Sequence, residues 1–198
     1  MAGKRNIAAP NLPVSPQDYS QPWQEQFSNV LRLFFNQLVT FVNAPSPYGS
    51  FYDTSTQTNP VASATNIAKL NTKAEASRVT VSDGSTAAKI YVAESGVYNI
   101  QFSAQIQKGG GPAADVFFWL LVNGTALADS AGYATLSPNT KSVAAWNYIT
   151  SLNGGDNVQL AWASSDTGVT LPTIAAAGSI PASPSLIFTV NWVSSLSI

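Results

Sequence analysis

The residues that could perform acid–base chemistry are ten carboxylates: Asp18, Glu25, Asp53, Glu75, Asp83, Glu94, Asp115, Asp129, Asp156 and Asp166. No two share a short motif, so a glycosidase-type acid pair would need distant segments to converge, and no pattern announces that. The chain has neither His nor Cys. That removes imidazole-dependent triads, thiolate nucleophiles, disulfide frameworks and the usual zinc ligand sets. Asp156, in Gly154-Gly155-Asp156-Asn157, is the best single candidate for a special role. A carboxylate in such a turn bonds backbone amides, with calcium ligation second because a hard cation wants several oxygens. Gly109-Gly110-Gly111 invites a phosphate-loop reading but lacks the GK[ST] ending and precedes no helix, so it reads as a flexible strand connection. The expectation is a protein that is not an enzyme, with no catalytic residue, no cofactor and no metal ligand.

Surface recognition is the remaining chemistry, and aromatic residues would carry it. Trp119, Trp162 and Trp192 sit in strongly apolar stretches, where packing in a core or against another subunit is expected. Trp146 and Tyr148, two residues apart on one strand face, form the pair expected at the surface, where they could meet a sugar. The small-residue stretches 125–139 and 164–183 read as loops at one end of a sandwich, where a recognition protein places its contacts. Charged residues make up only 10%, and formal net charge is −1. Among nine Lys and Arg, only Lys4 and Arg5 are adjacent, so nucleic acid is rejected as a partner. So little charge leaves a surface of Ser, Thr, Asn, Gln and Ala, suited to being covered by other copies of the chain.

These side chains must be positioned by one sandwich-sized domain and an extension, which is what 198 residues allow. Residues 1–20, with Pro10, Pro13 and Pro16, read as an extended arm. Ser20 can cap a helix that tolerates Pro22 in its first turn and ends near Asn43, before Pro45 and Pro47. Phe27, Leu31, Phe34, Leu38 and Phe41 follow a 4-3-4-3 spacing, a single heptad-type seam. Val30, Leu33, Phe35 and Val42 widen it to most of the circumference, which an isolated helix could not carry in water. The helix either packs under the β domain of its own chain or joins its symmetry mates and a host protein; a short stem of the second kind is the favoured reading. Arg32, Asn36 and Gln37 interrupt the densest apolar run, which falls short of the ~20 residues of a membrane span. No secretory signal is expected, because Trp23 lies too far from Lys4-Arg5.

From Ile67 the period changes to two. In Gly96-Val-Tyr-Asn-Ile-Gln-Phe-Ser-Ala-Gln-Ile-Gln107, Tyr98, Ile100, Phe102, Ala104 and Ile106 share one face and an uncharged Asn/Gln/Ser row takes the other. Val116-Phe-Phe-Trp-Leu-Leu-Val122 is apolar on both faces and ends at the tight-turn pair Asn123-Gly124. Further strands are expected at 78–81, 89–92, 125–129, 143–152, 158–163 and 186–193. Eight short strands indicate a sandwich or jelly roll. In a two-layer sandwich, Phe117, Trp119 and Leu121 must meet something beyond the core, and a neighbouring subunit is the simplest candidate.

Three segments are similar to the C1q/TNF-like superfamily of trimeric jelly rolls. Ser95-Gly-Val-Tyr-Asn-Ile-Gln-Phe-Ser resembles its glycine-then-aromatic strand, Leu152-Asn-Gly-Gly-Asp-Asn-Val-Gln-Leu its glycine-aspartate turn, and Pro184-Ser-Leu-Ile-Phe-Thr-Val its closing strand. Asn6–Pro10, the Asn29–Leu38 helix and the Tyr48–Phe51 strand look like structural proteins of tailed bacteriophages of marine and freshwater hosts. The chain lacks the collagen stalk and disulfides of animal relatives, so their receptor roles are not carried over. The resemblance implies a homotrimer on a virion.

The expected architecture is mainly β: an arm and anchoring helix over 1–45, and a C1q/TNF-like jelly-roll head over 46–198. The expected function is that of a homotrimeric capsid decoration or cement protein. Phe27, Leu31, Phe34, Leu38, Phe41, Phe117, Trp119 and Leu121 would form the anchor and oligomer interface, and the major capsid protein or another virion protein would be the partner. Localisation is the virion, on the capsid rather than the tail. The alternative is a tail-fibre or spike protein that adsorbs to a host surface glycan through Trp146 and Tyr148.

Overall fold

The computed structural model describes residues 9–43, 45–82, 84 and 88–196, with residues 41–43 as backbone only. Phe41 and Val42 of the helical seam, Asp83, and residues 6–8 of the phage-like start therefore lie outside the described side chains. The chain divides into two compact units at Pro45/Ser46. In the first, α1 (Gln21–Asn43) follows a stretch, 9–20, without regular structure. Ser20 caps α1 through its carbonyl oxygen, which accepts Gln24 N at 3.1 Å. Pro22 sits in the first turn, where its missing amide would have had no partner.

Among its described residues the second unit has fourteen strands. Its first half holds β1 (Tyr48–Asp53), β2 (Gln57–Thr58), β3 (Asn66–Ile67), β4 (Thr72–Ser77), β5 (Val79–Val81), β6 (Ile90–Val92) and β7 (Gly96–Lys108). Its second half holds β8 (Ala114–Val122), β9 (Thr125–Ala126), β10 (Gly132–Leu136), β11 (Lys141–Leu152), β12 (Asn157–Ser164), β13 (Val169–Leu171) and β14 (Leu186–Ser194). All pairings are antiparallel. Sheet I runs β4–β1–β14–β7–β11, with β13 beside the end of β7 and β2 beyond it. Sheet II runs β5–β6–β12–β8–β10, with β3 on β12 and β9 on β8. The first and last long strands are neighbours in sheet I, and the chain crosses between the two sheets repeatedly, as from β7 to β8, β10 to β11 and β11 to β12. This is a jelly roll.

The expected strands are present, Tyr48–Phe51 among them within β1, and two stretches read as loops contain more. Residues 125–139 include β10, and 164–183 include β13 and a hairpin closed by the Ile174–Ser183 and Ala177–Ile180 bridges. Conversely, the strand expected over 125–129 shrinks to β9. Asn123 and Gly124 both take positive φ, 51° and 81°, the signature of a two-residue hairpin turn.

Alternation along β7 places Tyr98, Ile100, Phe102, Ala104 and Ile106 in the core. From sheet II come Val116, Phe118, Leu120, Val158, Leu160 and Trp162. The two layers meet through aromatic rings. Phe102 of β7 lies 5.1 Å from Phe118 of β8, and Trp146 of β11 reaches both, at 5.3 and 5.7 Å. Gly132 makes room for that indole, since a Cβ there would stand 2.8 Å from a Trp146 ring carbon. Among the described residues β7 is the one strand that pairs with β11, which leaves the other edge of β11 without a strand partner there.

Hydrogen bonds tie down the triple-glycine connection in this structure. Gly109 N donates to Gly168 O and Asn139 N to Gly109 O. The buried Lys108 side chain turns back to donate to the Gly110 carbonyl, and its ammonium lies 3.4 Å from Asp166 Oδ1. The Gly168 amide, 2.6 Å from Asp166 Oδ1, and secondarily Lys108, hold the Asp166 carboxyl below the ordinary carboxylate range.

Two outcomes are expected. Gly132→Ala forces the indole off its site and lowers unfolding free energy in urea by about 1–3 kcal/mol, the usual cost of overpacking. Because the folded Asp166 pKa is depressed, its contribution is present above the unfolded pKa and lost as pH falls through the folded value. Urea midpoints measured against pH should therefore decline less steeply on the acid side in Asp166→Asn than in the parent.

Candidate interaction surfaces

The described residues present three surfaces whose composition departs from an ordinary solvated exterior. The first is α1. Trp23, Phe27, Val30, Leu31, Phe34 and Leu38 are half-buried along one stripe, while Leu33, Phe35 and Val39 are each more than half exposed. Trp23 stacks on Phe27 at 5.2 Å, and its indole N–H, out of reach of water, donates to no acceptor among the described residues. Arg32 is tied to Asn29 on the exposed side. No described helix is long and apolar enough to cross a membrane.

The second is the outward face of sheet I. Across β1, β14, β7 and β11 the outward positions carry Tyr, Ser, Ile, Thr, Asn, Val, Gln and Ala, and one charge, Lys141 at a strand end. Ile149 is 68% exposed and Val143 53%. Ile187 joins two open depressions in this face. One, of about 430 Å³, lies over Gln101, Ser103, Ala145 and Asn147. The other, of about 600 Å³, lies against Tyr52, Ile174 and Pro184, beside the 174–183 hairpin. The Asn99 Oδ1, buried in this face, accepts no hydrogen bond among the described residues.

The third is the outward face of sheet II, where Phe117, Trp119 and Leu121 lie. Their inward neighbours Val116, Phe118 and Leu120 are fully buried, so β8 is apolar on both faces, as its sequence requires. Phe117 is 38% exposed and stacks on Tyr133 of β10, 66% exposed, with centroids 5.7 Å apart and planes at 29°. One step along both strands, Thr135 Oγ1 donates to Asp115 Oδ1 at 2.6 Å. On the other side of β8, Phe117 faces Ala163 and Trp119 faces Ala161. The sequence reading missed Tyr133 and Thr135 by treating 125–139 as loop. The alternation in Gly132-Tyr-Ala-Thr-Leu136 was the available signal.

Trp146 and Tyr148 share a strand face, but that face turns toward the interior rather than outward. Trp146 packs on Phe102 and Phe118, and Tyr148 stacks on Phe102 at 6.3 Å and donates its hydroxyl to Ser130 O at 2.9 Å. They are therefore not a surface recognition pair. Burial pushes the Tyr148 phenol above its ordinary pKa. Asp156 behaves as a turn carboxylate, its Oδ2 accepting Asn153 N and its Oδ1 accepting Asn123 Nδ2, both at 2.8 Å. Asp53 is buried and accepts from Ser55 and Gln57, and Glu94 pairs with Arg78. These carboxylates brace loops. Among the described residues no three acidic side chains gather as a cation site.

Spectrophotometric titration of the tyrosines should show a late-ionising contribution from Tyr148, and the difference spectrum between the parent and Tyr148→Phe should isolate it.

No family model matches the sequence, and no curated protein matches it. Among solved structures, the globular domain of zebrafish complement 1qA protein aligns with a TM-score of 0.48 and 15% identity, covering 77% of this chain and 100% of that one.

Proposed function

We propose that this chain is a non-enzymatic, self-associating structural protein of a virus particle, a homotrimeric capsid decoration or cement protein. The observation that carries the reading is the helix. On its described part Leu33, Phe35 and Val39 are more than half exposed and six further large apolar side chains are only partly covered, and a side chain of this kind contributes roughly 1.5–3 kcal/mol when fully removed from water. A helix apolar around most of its circumference is stable where a partner covers it. Phe27, Leu31, Phe34 and Leu38 form the anchoring stripe, with the major capsid protein or another virion protein as the surface that receives it.

Self-association belongs to the outward face of sheet I. A surface almost without charge costs little to desolvate, and its Asn and Gln side chains can hydrogen-bond across a contact. The similarity of the 95–103, 152–160 and 184–190 segments to trimeric jelly rolls favours three copies. Three anchors on one trimer hold a particle far more persistently than one. A tail-fibre or spike role in host adsorption is the second reading, and the exposed Phe117–Tyr133 stack is the observation that favours it.

Sedimentation of the full chain should give a trimer, and Val143→Asp with Ile149→Asp should convert it to monomer. Removal of residues 1–44 should leave a trimeric head that no longer attaches to particles. Attachment retained after that truncation overturns the anchor, and labelled copies located on the tail favour adsorption over decoration.

A further inference from the structure

Phe117, Tyr133, Thr135 and Asp115 form a group for which neither the core nor the uncharged face of sheet I has a use. Their placement follows from register. Phe117 opposes Tyr133 and Asp115 opposes Thr135, and all four point away from the core. The aromatic row and the polar row are therefore neighbours on one surface, two residues or about 7 Å apart along the strands. Most of the Tyr133 ring is open to solvent. Asp115 Oδ1 is occupied by Thr135, while Oδ2 accepts no hydrogen bond among the described residues. Ser165 closes the polar row on the β12 side, its Oγ accepting Asp115 N at 2.9 Å. Ala163 beside Phe117 is too small to cover the rings.

We propose that this face is a binding site for a neutral hexopyranose unit of a polysaccharide. The C–H face of the sugar lies on the Tyr133 and Phe117 rings, and its hydroxyls donate to Asp115 and exchange hydrogen bonds with Thr135. The chemistry selects this ligand over others. A nucleic acid brings phosphates toward a carboxylate. A second copy or another protein that sealed the face would bury Asp115, which is costly unless a cation meets it, and this chain has only nine Lys and Arg to offer. A sugar has an apolar face for the rings and many O–H donors for an ionised acceptor, whose hydrogen bonds are the strong ones. Tyrosine suits such a surface, being rigid, large and polar at one end. The site goes beyond the anchoring role and does not depend on where the chain sits on a particle.

The test uses the purified full chain and neutral oligosaccharides of glucose, galactose and mannose, four to six units long, in calorimetric titration. Saturable binding to at least one, with a dissociation constant in the millimolar range or tighter, is expected. Tyr133→Ala and Asp115→Asn should each weaken it at least tenfold with the thermal midpoint unchanged, while Tyr133→Phe should retain it. Absence of saturable binding across the set overturns the proposal. So does binding that survives both Tyr133→Ala and Phe117→Ala, or a fall in sedimentation mass on Tyr133→Ala, which would make the face a contact between copies.

Discussion

The contact of Phe102 with Phe118, sealed by Trp146, fixes how the two sheets face one another. Once those rings meet, the period-two pattern of every long strand assigns each remaining side chain to core or exterior, because a one-residue slip would reverse a whole strand. The long strands β7 and β11 pair over twelve residues, so orientation set at Phe102 and Trp146 propagates to both ends of sheet I. Everything outward on the β unit is a consequence. The uncharged row on β7 faces out because Phe102 faces in, and Phe117 is outside because Phe118 is inside.

Much of this was legible from the residues. Strand β7 declares both its faces through strict alternation of apolar and amide side chains, and β8 declares an apolar outward face by being apolar on both. Asn123-Gly124 announces its hairpin turn. The strand carrying Trp146 was read with the correct alternation and the wrong orientation. Val143, Ala145 and Ile149 on one face are as apolar as Ala144, Trp146 and Tyr148 on the other, and alternation alone does not say which set meets the opposite sheet. Gly132 decides it by leaving space for an indole on the inner side, a relation between strands that a single strand's pattern cannot carry. The strands β10 and β13 were obscured by Pro, Ser, Thr and Gly, whose turn preferences outweigh short strands in a local reading. Pairing with β8 and β7 overrides those preferences.

Scarcity of charge gives the three surfaces different physical characters. The helix is apolar and gains by being covered completely. The face of sheet I is uncharged but rich in amides and hydroxyls, so it can meet another surface directly or through water. The face of sheet II combines exposed rings with an ionised carboxylate, a mixture that seals poorly against protein. Two ion pairs, Lys108 with Asp166 and Arg78 with Glu94, brace the ends of strands.

The rim of β11, without a strand partner among the described residues, has a bearing on what can join the sheet. Twelve residues without proline, with a single lysine at the outset, offer an unguarded row of amides and carbonyls to any extended peptide that drifts past. Gatekeeping residues that discourage runaway stacking are missing there. Such a rim is a ready template on which another extended chain can add itself to the sheet.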